Sequence, residues 1–221
     1  MNLSQQTMEI LSNFSEINSS ILLKKGNVQR TVSPMKSILA QAKISEDLPS
    51  EAPIFDLKQL IQAVNMFEDA DVSFNDNNLR VKNGKAYASI FYASRETIVT
   101  PPDKDIKLPS SEVSFVLDQA AFSSALRAAS VFNLPEIVLL GEKGTAYLTA
   151  VDSKNSASNF FRYPVGESDV NYNMIFKVEN LKLLPRDYDV RISSKGISHF
   201  ASKTGDVEYW IAVETGSKYG E

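Results

Sequence analysis

A polar cap followed by a helical stripe of apolar residues recurs four times along this chain of 221 residues, and no other feature restricts its fold as strongly. At residues 53–67, Asp56 is placed to accept hydrogen bonds from the free amides of a first helical turn, and Gln59 completes an arrangement like a capping box. The apolar residues after this cap follow the spacing of one buried helical face. They are Leu57, Leu60, Ile61 and Val64. The pattern predicts a helix that packs on a sheet.

Three further segments repeat the pattern with different residues. Residues 113–132 place Asp118 before a helical stripe, and residues 3–14 place Ser4 before another. These stripes are Phe122, Ala125, Leu126 and Ala129 after Asp118, and Thr7, Leu11 and Phe14 after Ser4. A weaker fourth copy spans residues 176–185. The helix starts lie roughly fifty to sixty residues apart, which leaves room for one small α+β unit each.

Strand patterns follow every predicted helix, and turn signals such as Asn83-Gly84 separate them. After the last three helices, the predicted strands are residues 70–74, 78–83 and 85–93; 136–141, 145–151 and 157–165; and 187–194, 196–202 and 206–213. Each helix except the first is also preceded by one strand. The sequence therefore predicts an α+β fold of four βαβββ-type units with antiparallel sheets.

The stretch between the second and third units is a poor helix and a poor central strand, because it combines three prolines with dense charge. It reads as an extended connector. The predicted organisation is a first domain at residues 1–93, a connector at 94–112 and a second domain at 113–221. Each domain contains two copies of the unit, so the duplication occurs within domains and again between them.

Composition excludes several classes of protein. The formal net charge of -4 argues against a basic protein that coats DNA. The absence of cysteine excludes disulfides, thiolate metal sites and a cysteine nucleophile, and fits a reducing intracellular compartment. Neither a basic leader nor a long apolar run is present, so we expect no secretory signal and no membrane span.

No catalytic or metal motif emerges from the residues. The single histidine, His199, has no second histidine or cysteine to share a zinc site. Residues 69–80 superficially resemble a calcium loop, but Phe74 stands where such a loop needs glycine and Arg80 where it needs glutamate. We expect no cofactor and no enzyme activity.

The order of elements resembles that of the DNA polymerase sliding clamps. Residues 1–26, the segment "PIFDLKQLIQAV" and the ending "VEYWIAVETGS" resemble the clamps of T-even-like bacteriophages in particular. The resemblance covers nearly the whole chain. It rests on apolar positions and element order, because clamps carry no catalytic signature.

The resemblance implies a DNA-clamp fold assembled as a homotrimeric ring, with sheets outside and helices lining a hole through which duplex DNA passes. It implies that an ATP-driven clamp loader opens the ring and that the ring tethers the replicative phage DNA polymerase as a processivity factor. It also implies a part in late transcription and a location in the cytoplasm of the infected bacterial host. The acidic net charge fits this function, since topological holding needs few and weak phosphate contacts.

Three sets of site residues follow from the resemblance. The helix faces opposite the core stripes would face DNA, at Lys58, Gln62, Arg127, Lys177 and Lys182. A pocket for partner peptides would be formed by Met35, Ile38, Ile98, Val99, Trp210 and Ala212. Subunit contacts would be made by edge strands that carry Tyr87, Phe91, Phe160, Phe161 and Tyr163. The first helix departs from the basic pattern of clamps, because its outward positions hold no lysine or arginine and Glu9 lies nearby.

Two other interpretations remain open from the residues. One is a non-enzymatic, β-rich structural or adaptor protein that binds another protein by its edge strands and never encloses DNA. The acidic charge and the first helix favour this adaptor modestly, whereas the fourfold unit and the connector favour the clamp. The other is an enzyme that uses paired carboxylates, although no spacing singles out two of the 27 acidic residues.

Overall fold

The computed structural model describes residues 1–220 and divides into two compact units. The first is Met1–Lys104, and the second starts at Asp105. This division falls inside the predicted connector at residues 94–112. The predicted domain bounds themselves stay predictions.

The first unit contains two α-helices and seven strands, followed by a 3-10 helix at Arg95–Thr97. In chain order the elements are α1 Gln5–Ile17, β1 Ile21–Leu23, β2 Gly26–Val32, β3 Ile38–Leu48, β4 Ala52–Ile54, α2 Leu57–Asn65, β5 Asp71–Phe74, β6 Asn78–Asn83 and β7 Ala86–Phe91. Strands β5, β6 and β7 form an antiparallel sheet in that order, β2 pairs with β3, and β1 pairs with β4. The three strands after α1 are therefore not a simple meander.

The second unit contains one α-helix and nine strands, with a 3-10 helix at Val178–Asn180. The elements are β8 Val113–Leu117, α3 Gln119–Phe132, β9 Glu136–Glu142, β10 Gly144–Val151, β11 Phe161–Ser168, β12 Tyr172–Lys177, β13 Tyr188–Ser193, β14 Ile197–Ser202, β15 Val207–Ala212 and β16 Lys218–Tyr219. One antiparallel sheet has the order β11-β10-β9-β12-β16, and another runs β15-β14-β13-β8. The α+β class predicted from the sequence is confirmed.

The three predicted helix caps are confirmed. The side chain of Ser4 accepts a hydrogen bond from the Thr7 amide at 3.2 Å, and Asp56 accepts one from the Gln59 amide at 2.9 Å. Asp118 caps α3 in the same way through the amide three residues on, at 2.7 Å. Most residues of the predicted stripes are buried, but Ile61 and Leu126 are only half-buried. Helix α1 packs against β3 and α2, and α3 packs against β9, β10 and β11.

The prediction of a fourth helix is wrong. Residues 178–180 form one turn of 3-10 helix, and the chain then continues without regular structure to β13. Pro185 disfavours a helical conformation in Leu184, so little more than one turn of helix fits after β12 ends. Leu181 and Leu184 are nevertheless buried, and the segment covers the core as a helix would.

Two buried tyrosines hold this irregular segment. The hydroxyl of Tyr188 donates to the carbonyl of Leu184 at 2.7 Å, and the amide of Leu184 donates to the hydroxyl of Tyr209 at 3.2 Å. Both tyrosines are fully buried, and burial raises the pKa of each phenol. The backbone N–H and C=O groups of Leu184 are thus satisfied by side chains.

Glu46 on β3 fastens the amino-terminal end of α1. Its carboxylate accepts hydrogen bonds from the Ser4 amide at 2.6 Å and from the Thr7 hydroxyl. Burial raises the pKa of Glu46, but the hydrogen bonds from Thr7 and Ser4 outweigh it and hold the pKa below its ordinary value of 4.5. The carboxylate therefore stabilises the folded state above pH 4.5, and this contribution is lost as the pH falls through the folded-state pKa.

Glu46→Gln is expected to lower the free energy of unfolding by about 1 kcal/mol at pH 7, because two hydrogen bonds lose their charged acceptor. The difference from wild type should shrink as the pH falls below 4.5. Urea denaturation at pH 7 and at acid pH measures both quantities. Asp47→Asn is the matched control, since the neighbouring carboxylate makes no hydrogen bond within residues 1–220. An unchanged difference at both pH values would contradict the assignment.

Candidate functional site

The exposed helix surface of the first unit is acidic. The exposed positions of α1 are Gln5, Glu9, Ser12 and Glu16. On α2, the Lys58 ammonium lies 2.7 Å from the Glu16 carboxylate, and both side chains are more than half exposed. The predicted DNA-facing residue Gln62 is exposed and neutral. The one predicted cation of this unit is therefore partly neutralised, while Glu9 adds a negative charge.

The second unit carries the other predicted cations. Arg127 is exposed on α3, and within residues 1–220 it makes no ion pair. Lys177 is the last residue of β12, and its ammonium lies 3.7 Å from the Glu214 carboxylate. Lys182 is exposed, but on the irregular segment and not on a helix as predicted. The second unit thus carries three of the four predicted DNA-facing cations.

The residues predicted for the partner pocket differ widely in exposure. In the first unit, Met35 is 86% exposed and Val99 is 40% exposed, whereas Ile38 and Ile98 are buried. Ile38 and Ile98 therefore belong to the core of the first unit. In the second unit, Trp210 and Ala212 are half-buried on the same face of β15.

Trp210 is held by its neighbours on the sheet. Its ring stacks on the ring of His199 across β14 and β15, with centroids 4.8 Å apart and an interplanar angle of 25°. The Nε2 atom of His199 lies 2.8 Å from a carboxylate oxygen of Glu208. Sequence analysis assigned His199 no role, and the structure shows that it positions the tryptophan.

Asn18 links the end of α1 to the start of the connector. Its amide nitrogen donates to the Val32 carbonyl at 2.9 Å and to the Val99 carbonyl at 3.3 Å, and its amide oxygen accepts from the Ser20 backbone at 3.0 Å. The side chain is buried. Sequence analysis missed this residue, although its place directly after the last apolar residue of α1 is typical of a helix cap.

Asn18→Ala is expected to lower the free energy of unfolding by about 2–3 kcal/mol, because it leaves buried backbone groups without partners. Urea denaturation measures this loss. Asn65→Ala, at the exposed end of α2, is the matched control and should stay within about 0.5 kcal/mol of wild type. Equal effects of the two substitutions would show that the Asn18 network does not stabilise the unit.

Strand β7 is an edge strand with exposed apolar side chains. It lies at one end of the sheet β5-β6-β7, and none of its six residues is buried. Tyr87 and Phe91 are 62% and 69% exposed, and the Arg80 guanidinium lies 4.8 Å from the Tyr87 ring centroid. The neighbouring strand β6 buries Leu79 and Val81, whereas their partners on β7, Ile90 and Ala88, are only half-buried.

Strand β11 is the corresponding edge in the second unit. It ends the sheet β11-β10-β9-β12-β16, and none of its eight residues is buried. Phe160, just before it, and Tyr163 are exposed, and Phe161 is half-buried. The Arg162 guanidinium lies within 6 Å of the Phe160 and Tyr147 rings. Every aromatic residue predicted for subunit contacts therefore keeps accessible surface on or beside an edge strand.

Neither a metal site nor a membrane-crossing helix is found in the described residues. No group of three or more histidine, cysteine or acidic side chains among residues 1–220 is arranged to hold a metal ion. No helix in that range is long and apolar enough to cross a membrane.

Two protein-family models match this chain, one in each half. The family model for DNA polymerase processivity factor matches residues 4–100, and the model for the gp45 sliding clamp, C terminal, matches residues 119–215. The chain belongs to the sliding clamp family. This family comprises processivity factors, which are non-catalytic scaffolds. These matches favour the clamp over the adaptor and enzyme interpretations.

Alignments with curated relatives cover nearly the full length of the clamp. The sliding clamp of Vibrio phage KVP40 is 29% identical over 97% of this chain and 99% of its own. The sliding clamps of Escherichia phage RB69 and Enterobacteria phage T4 are 26% and 25% identical, each over 99% of both chains. The resemblance to clamps of T-even-like phages is confirmed.

Solved structures confirm the clamp fold at low sequence identity. PCNA of A. fulgidus, bound to the C-terminal region of FEN-1, gives a TM-score of 0.71 at 16% identity over 98% of both chains. The DnaN sliding clamp of Bartonella birtlesii gives 0.72 at 16% identity over 97% of this chain and 64% of that chain. A third similar structure is the Helicobacter pylori beta clamp bound to a DNA ligase peptide.

Proposed function

We propose that three copies of this clamp close into a ring that encircles duplex DNA and tethers the replicative phage DNA polymerase. The observation that carries the proposal is the pair of edge strands, β7 and β11, in which no residue is buried and beside which aromatic side chains are exposed. Edge strands of soluble proteins are usually blunted by charge or covered, because an open edge pairs with other chains. Two such edges in one chain provide the two halves of a subunit contact.

A contact between β7 of one copy and β11 of the next is heterologous, and a heterologous contact closes into a ring when its rotation permits. The aromatic residues at both edges suit such a contact, since tyrosine and phenylalanine are enriched in the cores of protein interfaces. Arg80 and Arg162 support those rings by cation–π contacts within each copy. The symmetry we propose is threefold.

The charge of the helices suits a ring that slides. Lys58, Arg127, Lys177 and Lys182 offer few phosphate contacts, and the ammonium groups of Lys58 and Lys177 each lie within 4 Å of a carboxylate. Few contacts keep binding weak and independent of base sequence. Retention on DNA then depends on closure of the ring and not on affinity.

Partner proteins are proposed to bind through short segments. Two similar clamp structures hold bound segments of other proteins, one from FEN-1 and one from a DNA ligase. In this chain, Met35 and Val99 offer accessible apolar surface in the first unit, and Trp210 offers accessible apolar surface in the second. The proposed partners are the phage polymerase, the clamp loader ATPase and late-transcription factors, all in the cytoplasm of the infected bacterium.

The test is retention on DNA of different topology. Clamp loaded by the phage clamp loader onto nicked circular DNA should stay bound through gel filtration and should be lost when one restriction cut makes the DNA linear. Cutting DNA whose ends are then blocked by bound protein is the control, and it should preserve retention. Equal loss from circular and linear DNA would overturn encirclement, whereas retention on unblocked linear DNA would show direct binding.

A further inference from the structure

A cationic groove lies between the β1–β2 segment and the connector of the first unit. It has a volume of about 280 Å³ and is bounded by the turn between β1 and β2, by β2 itself and by residues 100–103. The lining includes Lys24, Lys25 and Arg30. None of the residues predicted for the partner pocket, the subunit contact or DNA lines it. The proposed function therefore does not account for this groove.

Positive charge dominates the groove although the whole chain is acidic. Lys24, Lys25 and Arg30 face one lining carboxylate, that of Asp103. Lys43 is the cross-strand partner of Val28 and is also exposed, so it adds a fourth cation beside the groove. These cations create a local positive potential that attracts anions, although the chain as a whole has a net charge of -4.

One cation of the groove already pairs with a carboxylate of the chain itself. The ammonium of Lys24 lies 3.2 Å from the Asp103 carboxylate, and the Asp103 side chain is 90% exposed. An exposed pair of this kind contributes little to stability, so an external carboxylate competes for Lys24 at low cost. Lys25 and Arg30 add two more positive charges to the same lining.

The remaining lining is apolar and favours a peptide over a nucleic acid. Val28 is 45% exposed, and Pro101 and Pro102 form the connector side. Aliphatic surface contributes nothing to a phosphodiester, whereas it packs against the apolar side chains of a peptide. The volume lies just below the range of about 300–1,000 Å³ usual for small-molecule sites, which fits a few side chains of a partner.

We propose that this groove binds an acidic segment of a partner protein, with carboxylates on Lys24, Lys25 and Arg30 and an aliphatic side chain against Val28 and the two prolines. The groove begins at Thr100, the residue after Val99 in the connector. A partner segment with both acidic and apolar residues therefore contacts Val99 as well as the groove. Charge at this position selects among partners, since opposite charges steer association and like charges exclude it. The inference requires neither a ring nor DNA.

The probe for the test is a rhodamine-labelled peptide of alternating glutamate and leucine, compared with a peptide in which glutamine replaces glutamate. Fluorescence anisotropy with the full chain at low salt should show binding of the glutamate peptide only, and the affinity should fall as salt rises. Lys24→Gln/Lys25→Gln should weaken binding by about three- to tenfold. Lys104→Gln/Lys107→Gln removes the same charge outside the groove and should leave binding unchanged.

The Asp103→Asn variant tests whether the groove binds an external carboxylate or whether its charges serve only the fold. Removal of the internal competitor should tighten binding of the glutamate peptide by about two- to threefold. Weaker binding by Asp103→Asn, equal binding of both peptides, or no binding at about 1 mM peptide would each overturn the proposal. Stronger competition by duplex DNA than by unlabelled peptide, with the same dependence on Lys24 and Lys25, would reassign the groove to nucleic acid and also overturn it.

Discussion

Phe91→Asp is expected to convert the proposed trimer into monomers without unfolding the chain. Phe91 is 69% exposed at the end of edge strand β7, so aspartate costs the monomer little. In the subunit contact the same substitution buries a charge and removes an aromatic anchor. Loss of one such anchor typically costs at least about 2 kcal/mol, so the concentration at which the trimer forms should rise by about thirtyfold or more.

Light scattering after size exclusion, over a concentration series, measures this change. Phe55→Asp is the matched control, because Phe55 is 64% exposed but lies next to α2 and not on an edge strand. A Phe160→Asp variant tests the opposite edge and should behave like Phe91→Asp. A trimer unaffected by either edge substitution would refute the proposed contact, and a wild-type chain that is monomeric throughout would refute a self-closing ring.

Reversal of charge at Lys58, Arg127 and Lys182 is expected to reduce processive synthesis by about tenfold or more while leaving the trimer intact, because three phosphate contacts become repulsive. All three side chains are exposed, so the fold should tolerate glutamate. Primer extension with the phage polymerase and clamp loader gives the product lengths. Thermal melting and light scattering check the fold and the trimer.

A matched control changes the net charge equally at sites away from the helices. Lys85, Lys154 and Lys195 are exposed in turns and loops, and their replacement by glutamate should leave product length unchanged. Glu16→Gln should have the opposite effect on DNA binding, because it removes the carboxylate that pairs with the Lys58 ammonium. This variant should be lost more slowly from linear DNA. Equal effects of the two triple variants would mean that net charge, and not the helix surface, governs processivity.

The sequence predicted the fold well where local chemistry decides structure. Ser4, Asp56 and Asp118 cap their helices as expected, because a cap needs only the side chain and the amides of one turn. The prediction of the fourth helix was wrong because Pro185 disfavours a helical conformation in the residue before it. The buried hydroxyls of Tyr188 and Tyr209 then satisfy the backbone, and this is long-range information that no periodicity contains.

The functional surfaces were predicted less completely, because alternation shows which residues share a face and not which face is covered. Ile38 and Ile98 have the apolar character of a pocket, yet both are buried. The contacts of Asn18 and of Lys24 join positions about eighty residues apart in the chain, and sequence spacing does not reveal them. The edge aromatics were easier to find, since aromatic density on two strands is visible in the sequence itself.

The stacked pair of Trp210 and His199 gives the protein an optical probe of its own. Trp210 is the single tryptophan of the chain, so the indole emission has one source. A partner segment that covers this half-buried ring moves it out of water and shifts the emission toward shorter wavelengths. Titration of the unlabelled protein therefore reports occupancy at this strand directly, and the emission of variants altered elsewhere shows whether the ring and its imidazole neighbour keep their places.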